Sequence, residues 1–519
     1  WSPLRHAVFR MLWLTWLAAN LSMFMSDVAA AWLMTSLTTS PVMVALVQTA
    51  STLPVLLLGL PSGALADIVN RKHVFLGTQL WIALNAIALC GAALADALTP
   101  ALLLLLTFGN GIGLAMRWPV YAALVPQIVP RAELPQAMAL NGVAMNVSRM
   151  VGPVLAGALL AATGGAGVFA LNAVIALVCA VVLLRWQAPQ VQARALPGER
   201  FVGAMRVGIQ YVTQSPPMRT ILLRIFLFFL MSSAMVALLP LVARDLGGGA
   251  GTFTLLLAAM GGGAVLAVMF LPRLRVLVSR DRLVRDATLL QAAAMLAIGL
   301  APSVWIALPA MVAGGAAWIT AANTMTVAAQ LALPDWVRAR GMSIYQMALM
   351  GGSALGAAWW GQVAGWSSVP ISLMAAAAAA VAMVLLLSRR KIGADGEVDL
   401  TPTQLLREPE PAWEVGHDQG PVLVTVEYRI DPALAEAFRA VMRESRANRL
   451  QKGALSWGLF HDVAEPERYL EYFVDESWAD HLRRFDRLTA ADLELRQRRH
   501  AFHTGPGEPV IRRYISERT

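Results

Sequence analysis

Charge is the first thing this chain lacks. Of its 519 residues only 14% are Asp, Glu, Lys or Arg, against roughly 25% in ordinary soluble domains. The deficit is uneven. Residues 1 to 388 are built of long apolar runs, while 400 to 519 are rich in Arg, Glu, Asp and His. That contrast implies a membrane body followed by a soluble domain. Cysteine is equally scarce. Cys90 and Cys179 both lie inside apolar runs, which excludes a disulfide framework and makes them small packing residues. No G-x-x-x-x-G-K-[ST] occurs, so the chain carries no P-loop of its own for an ATP-driven pump. His461, His481, His500 and His503 show no metal-ligand spacing, and neither a cofactor nor a catalytic residue is expected. The net charge of +9 does not point to nucleic acid, because the basic residues flank the apolar runs as membrane insertion requires. The first run continues to about Leu37 without a small-residue cleavage pattern and is expected to stay in the membrane. The chain begins at Trp1, so a few preceding residues are expected.

What is present is a series of runs near the 20 residues a bilayer crossing needs. We read twelve, at roughly 11–36, 42–66, 74–95, 101–125, 136–162, 167–186, 219–243, 253–272, 286–302, 303–331, 340–364 and 369–388. Only Ala301, Pro302 and Ser303 separate the ninth from the tenth. Arg5, Arg10, Arg71, Lys72, Arg131, Arg185, Arg194, Arg200, Arg273, Arg275, Arg280, Arg282, Arg285, Arg338, Arg389, Arg390 and Lys391 fall in one set of connections, and Arg244 alone in the other. Both termini are therefore expected to face the cytoplasm of a multi-pass cell-membrane protein.

The longest internal connection, about Gln187 to Arg219, divides the runs into six plus six. The expected organisation is a six-helix bundle over 1–186, a cytoplasmic linker over 187–218, a second bundle over 219–390, a linker over 391–420 and an α+β domain over 421–519. Within the first linker, Phe201, Met205, Gly208, Ile209 and Val212 share one helical side, the pattern of an interfacial amphipathic helix. The halves echo each other at an offset of 204: Gly59 and Gly263, Arg71 and Arg275, Pro130 and Pro334, Gly152 and Gly356, Gly157 and Gly361. Such parallel repeats characterise one large transporter class.

Three local motifs sharpen this. Gly63-Ala64-Leu65-Ala66-Asp67-Ile68-Val69-Asn70-Arg71-Lys72 lies in the turn between the second and third runs. It resembles the G-x-L-A-D-x-x-x-R-K signature of the major facilitator superfamily in the same loop. That resemblance, over roughly 1–390, implies an all-α polytopic fold of two six-helix bundles and a cytoplasmic gate built on Gly63, Asp67, Arg71 and Lys72, with Arg117 a contact for Asp67. Asn146-x-x-Arg149-x-x-Gly152-Pro153-x-x-Ala156-Gly157 in the fifth run looks like the superfamily's exporter motif, in which Gly152, Pro153 and Gly157 pack helices closely. Leu104-x-x-Thr107-x-x-Asn110-Gly111 has the shape of a third motif, but Thr107 stands where the family carries an arginine tied to proton coupling. The stretches Ala31–Thr38, Val44–Ala50 and Arg131–Ala137 resemble the drug and siderophore export branch that includes enterobactin exporters.

Ionisable groups inside apolar runs are functional candidates by default. Asp27, Arg117, Arg149 and Arg224 are the four here. Asp27 is a candidate proton carrier or a contact for a cationic substrate, with Asn20 two turns earlier on the same side. Arg149 shares a face with Asn146 and is a candidate partner for Asp27 or for an anionic substrate. Gln48, Asn110, Asn172 and Asn323 are further polar candidates, whereas Arg224 is expected to snorkel to the interface.

Beyond a linker with Pro402, Pro409 and Pro411, the hydrophobic period changes. Strands are expected at Val422–Ile430, Ser456–Val463, Arg468–Ser477 and Val510–Ser516, and helices at Pro432 to about Leu450 and Trp478–His503, a ferredoxin-like β-α-β-β-α-β order. With Trp478-Ala479-Asp480-His481-Leu482, this piece resembles antibiotic-biosynthesis-monooxygenase-like domains, which implies pairing with a second copy. The expected function is ion-coupled export of a small organic molecule across a lipid bilayer, protons being the candidate ion. A membrane-anchored enzyme and a non-transporting ligand sensor are the alternatives.

Overall fold

The computed structural model describes residues 2–68, 71–130, 133–186, 201–392, 399–401, 403 and 411–517. The chain divides into two compact units. One comprises Trp1–Gln190, Ile221–Ala328 and Ser343–Ile392; the other comprises Val191–Thr220, Ala329–Met342 and Gly393–Thr519.

The first unit is helical, as lipid demands: with no water to satisfy backbone groups, a spanning segment must bond internally. Its helices are α1 (Ala7–Leu37), α2 (Pro41–Ile68), α3 (Arg71–Leu94), α4 (Pro100–Ile128), α5 (Leu134–Arg185), most of α7 (Pro216–Asp245), α8 (Ala250–Leu277), α9 (Arg280–Gly299), most of α10 (Val304–Leu331) and of α11 (Asp335–Trp366), and α12 (Val369–Leu386). Among the described residues, nine helices are long and apolar enough to cross a membrane. Their starts follow ordinary capping chemistry. The Thr99 hydroxyl accepts from the Leu102 N–H with Pro100 next in line, and Ser368 does the same for Ile371. α5 is one run of 52 residues interrupted at Gly164, whose φ of 69° is tolerated by glycine. The break falls between the fifth and sixth runs read from sequence.

Close approach of these helices rests on glycine, as in other membrane bundles. A methyl group on Gly152 would fall 2.8 Å from Phe24 Cβ on α1. The glycine 204 positions later, Gly356 on α11, meets the Leu230 carbonyl and Ser233 on α7 in the same way. Gly157 on α5 abuts Thr254 of α8, while Gly361 on α11 abuts Ala45 of α2. Each pair of offset-related glycines thus packs against corresponding helices of the two halves.

In the second unit a four-stranded antiparallel sheet, β1 (Val422–Arg429), β2 (Ser456–His461), β3 (Arg468–Asp475) and β4 (Val510–Ile515), runs in the order β2-β3-β1-β4. α13 (Ala435–Gln451) connects β1 to β2, and α14 (Trp478–Asp486) and α15 (Ala490–His500) connect β3 to β4. Val422, Val424, Val426 and Tyr428 alternate onto the buried face and meet Phe438, Met442, Tyr469, Phe473 and Trp478. The amphipathic stretch forms α6 (Phe201–Gln214) and belongs to this unit. Its contacts go both to the α10–α11 connection, where Tyr211 donates to the Ala332 carbonyl at 3.2 Å and meets Trp336 edge to face, and to the C-terminal domain. Arg206 pairs with Glu476 at 2.6 Å, Gln210 donates to the Ala454 carbonyl at 3.1 Å, and Gln451 donates to the Gln214 carbonyl at 3.0 Å.

Candidate functional site

Inside the first unit lies a narrow cavity lined by Ala19, Met23, Asp27, Ser51, Ile82, Asn110, Gly111, Leu114, Arg117 and Asn172. Every one of these residues comes from α1 to α5. The cavity volume is about 20 Å³, room for a water-sized guest and far below the several hundred Å³ of a drug site. Gly111 makes it possible, since a methyl there would lie 2.7 Å from the Ser51 carbonyl and 2.8 Å from Pro54 Cγ.

Asp27 enters from α1 and accepts a hydrogen bond from Ser51 Oγ at 3.0 Å. Among the described residues it has no ion-pair partner within 4.0 Å. Arg117 enters from α4 and is 2% exposed. Its guanidinium donates to the Ala19 carbonyl at 3.2 Å and to Asn20 Oδ1 at 3.1 Å, and lies 5.3 Å from the centre of the Trp16 ring. Trp16 is in turn stacked on Tyr121, with centroids 4.0 Å apart. Asn172, from the second leg of α5, bonds to both Ser22 and Ser26 of α1. The α1 face carrying Asn20 and Asp27 is thereby held by three other helices.

Arg117 thus lines the cavity that holds Asp27; the side chain of Asp67, the gate contact expected for it, lies outside the described residues. Thr107 stands at the motif's arginine position and its buried hydroxyl is unpartnered among the described residues, yet a buried arginine reaches this cavity from the same helix at position 117. Asn20 and Asn110 join the cluster. Gln48 does not. It donates to Ser353 Oγ on α11 at 3.3 Å, next to a 2.8 Å bond from Thr49 to the Ala354 carbonyl. Asn146 bonds back to the Gly142 carbonyl on its own helix. Arg149 does not pair with Asp27; its guanidinium lies 4.2 Å from the centre of the Trp318 ring and 5.7 Å from that of Phe24. Gly152 and Gly157 are helix contacts, as above, with Pro153 inside the same helix. Of the loop motif, Gly63 and Asp67 end α2 with side chains outside the described residues. Arg71 opens α3, and Lys72 Nζ donates to the Leu184 carbonyl at 3.1 Å.

Two features escape sequence reasoning. Ser51 is a single hydroxyl in an apolar run, and nothing in its spacing ties it to Asp27. Arg224, expected to snorkel, is instead anchored: it pairs with Asp281 at 3.1 Å and donates to the Leu387 carbonyl at 3.1 Å and to that of Arg390. Asp281 also accepts from the Ile392 N–H at 2.9 Å.

The C-terminal domain holds buried charges of another kind. Glu471 is fully buried and accepts from Tyr428 (3.0 Å), Ser445 (3.2 Å), Arg449 (3.1 Å) and Trp457 (3.0 Å). Burial would push its carboxyl up, but Arg449 and Arg499 outweigh that and hold it at about 2. Asp475 is treated alike: Arg484 and His481 overcome burial and hold it at about 2. His481 donates from Nδ1 to Asp475 at 2.9 Å and accepts from Arg513 at Nε2 (3.1 Å), the arrangement of a neutral imidazole; burial lowers its pKa. Glu471, Asp475 and His481 all find their partners within the domain, and no group of three His, Cys, Asp or Glu suited to a metal occurs among the described residues.

A family model described as a transmembrane secretion effector matches residues 1–519. The chain belongs to that family of major facilitator transporters. It is a multi-pass membrane protein of a transporter family, and several of the curated relatives it matches are efflux proteins. Macrolide efflux protein A of Enterococcus faecalis is 24% identical over 194 residues, covering 37% of this chain and 60% of the relative. Macrolide efflux protein A of Streptococcus pyogenes is 24% identical over 194 residues, 37% of this chain and 48% of its own length. The chain thus spans about half of the curated relatives it matches. Among solved structures, a POT family transporter in complex with a thioalcohol-conjugated peptide superposes with TM-score 0.60 at 14% identity, covering 74% of this chain and 96% of its own. A bacterial homologue of the iron transporter ferroportin, inward-facing, gives 0.57 at 16% identity, covering 74% and 99%. Those likenesses establish the fold of this secretion effector.

Proposed function

We propose that this protein is a proton-coupled exporter of a small organic molecule of the drug or siderophore class, working by alternating access. The observation that carries the reading is Asp27: a carboxylate at mid-helix, bonded to one serine, in a water-sized cavity lined from the first half alone. A carboxylate at membrane depth is costly unless it is protonated or engaged in transport. The cavity is too small for the cargo, which suits it to a proton. The test is uptake into inverted proteoliposomes under an imposed proton gradient, with a panel of drugs and siderophores. Failure of every compound to accumulate, with or without the gradient, would reject transport.

The proposed architecture is twelve passes in two six-helix bundles with both termini cytoplasmic. α5 supplies two passes across Gly164. α9 and α11 open on charged turns, Arg280–Asp286 and Asp335–Arg340, which lower their mean hydropathy. The glycine contacts repeated at an offset of 204 support the halves as copies of one packing scheme, and the one-sided Lys and Arg distribution supports the orientation.

The gate remains at the Gly63–Lys72 turn, with Asp67 its acidic member. Asp67→Ala is expected to reduce turnover by more than tenfold in order of magnitude, about the effect of losing a charge-assisted contact in one state, while substrate affinity in detergent changes little. Equal turnover in the variant and the wild type would remove the gate.

The C-terminal domain is proposed to be ferredoxin-like and self-associating. Its strand order supports the topology. On the sheet face opposite the helices, Phe460 (58% exposed), Leu470, Val510 and Tyr514 lie open, with Phe460 stacked on Tyr472 at 5.5 Å. An open apolar sheet face of this kind fits a second copy of itself. Leu470→Glu is expected to convert the full-length protein from dimer to monomer by mass photometry. A monomeric wild type would rule out the pairing.

A further inference from the structure

A second polar constellation lies apart from Asp27, and unlike that cavity it is built from both halves. Arg149 on α5 and Phe24 on α1 come from the first half; Trp318 on α10 and Phe229 on α7 come from the second. Each sits near the middle of its helix or helix leg: α1 spans Ala7–Leu37, the first leg of α5 runs from Leu134 to the break at Gly164, α7 spans Pro216–Asp245 and α10 spans Val304–Leu331. Phe229 and Trp318 meet edge to face at 5.5 Å. The Arg149 guanidinium lies over Trp318 at 4.2 Å and near Phe24 at 5.7 Å. Gly152, one turn further along α5, brings α1 close enough to place Phe24 there.

Arg149 is the anomaly in this group. Arg224 meets a carboxylate and two carbonyls, and Arg117 meets a carbonyl and an amide. Among the described residues, Arg149 has ring faces as its neighbours and no acid within 4.0 Å. A guanidinium offers five donors in a fork that matches a carboxylate or phosphate, and a ring face engages none of them fully. A permanent cation with unspent donors, at mid-membrane and between the halves, repels a cationic cargo and attracts an anionic one. Once the guanidinium turns to an anion, the Trp318 and Phe24 faces it covers become free to stack.

We propose that Arg149, Trp318, Phe24 and Phe229 form the cargo site, and that it takes an aromatic organic anion: the anionic group on Arg149, the ring against Trp318 and Phe24. This deepens the exporter reading and rests on it for the word cargo, though the binding itself does not need transport. It also separates two tasks, the proton at Asp27 in the first half and the cargo at the interface, where alternating access requires a site to be.

The test uses the full-length protein in lipid nanodiscs and three probes that share one ring: 1-naphthoate, 1-naphthamide and 1-naphthylmethylammonium, measured by calorimetry. The wild type is expected to bind the anion about tenfold or more tighter than the amide, the margin of a charge-assisted pair, and the cation more weakly than either. Arg149→Gln is expected to bring anion and amide within about threefold of each other, and Arg149→Lys to keep the preference for the anion. Trp318→Leu is expected to weaken anion and amide alike. Preference for the cation, no preference between anion and amide, no binding of any probe by the wild type, or an unchanged anion preference in Arg149→Gln would each overturn the proposal. Arg149-dependent binding of naphthoate without its accumulation in proteoliposomes would leave the site standing and sink the export reading. Accumulation of a different compound by a protein indifferent to naphthoate would do the reverse.

Discussion

Asp27→Asn is expected to reduce proton-driven accumulation to the level of protein-free liposomes, while the variant still inserts, purifies as a single species and binds cargo. The argument is steric and electrostatic together. Asparagine keeps the volume and the hydrogen bond from Ser51, so the α1–α2 contact survives. What it removes is the ability to carry a proton into a cavity that admits little else. Ser51→Ala grades the effect: losing one hydrogen bond costs about 0.5–1.5 kcal/mol, so that variant is expected to transport at a reduced rate rather than to lose coupling. Proton-driven accumulation at the wild-type rate by Asp27→Asn at every pH would end the claim that this carboxylate couples transport.

Arg117 makes the opposite contribution to the same cavity. Its charge is spread over the Ala19 carbonyl, Asn20 and the Trp16 ring, so it holds α4 against α1 without neutralising Asp27. A cation that does not bond the acid leaves the carboxylate free to change its proton. This explains how the cluster keeps a titratable acid in a membrane without locking it into a salt bridge, and why the missing arginine at Thr107 does not leave the cavity without a cation.

The helices were legible because lipid imposes one rule on every spanning segment, and the break at Gly164 was legible because the run was too long for one crossing. Asp27 was legible for a related reason: a charge in an apolar run is conspicuous. Direction was not. Position along α4 gives the depth of Arg117 but not which neighbour its long side chain reaches. The rings beneath Arg149 come from α1 and α10, almost 300 residues apart in order of magnitude, and no spacing rule on one helix reveals them. Arg224 was misjudged because snorkelling is the default for a cation near a helix end, and its true partner, Asp281, stands in a basic run that reads as surface. The C-terminal strands came out within a residue or two because period-two burial is written directly into Val422, Val424, Val426 and Tyr428. The charge network behind them, held together by side chains from α13, α15 and β3, is a tertiary property.

That network supports the second large expectation, which concerns stability. Glu471→Ala is expected to destabilise the C-terminal domain by about 3–5 kcal/mol, the usual cost of stranding buried charges by removing one partner. Arg449 and Arg499 lose their shared carboxylate, while Tyr428, Ser445 and Trp457 lose an acceptor. A domain of this size has about 5–15 kcal/mol in all, so the loss takes a large part of its stability. Glu471→Gln keeps the shape and one acceptor but not the charge, and is expected to fall between the two. The pH dependence has a definite sign. A carboxyl held at about 2 in the folded domain, against an ordinary 4.5 for Glu471 and 3.8 for Asp475, contributes stability that is fully present above the ordinary value and lost as pH falls toward 2. Denaturant unfolding of the full-length protein, followed by proteolysis of the C-terminal domain, is therefore expected to shift to lower denaturant between about pH 4.5 and pH 2, and Glu471→Ala is expected to flatten that shift. A variant as stable as the wild type at neutral pH, or a wild type whose domain is equally stable at pH 5 and pH 2.5, would show that Arg449, Arg499 and Glu471 do not form the energetic centre of the fold. The first outcome would mean the arginines find water or other acceptors once Glu471 is gone; the second would mean the carboxyls keep their protons out of the balance between folded and unfolded chains.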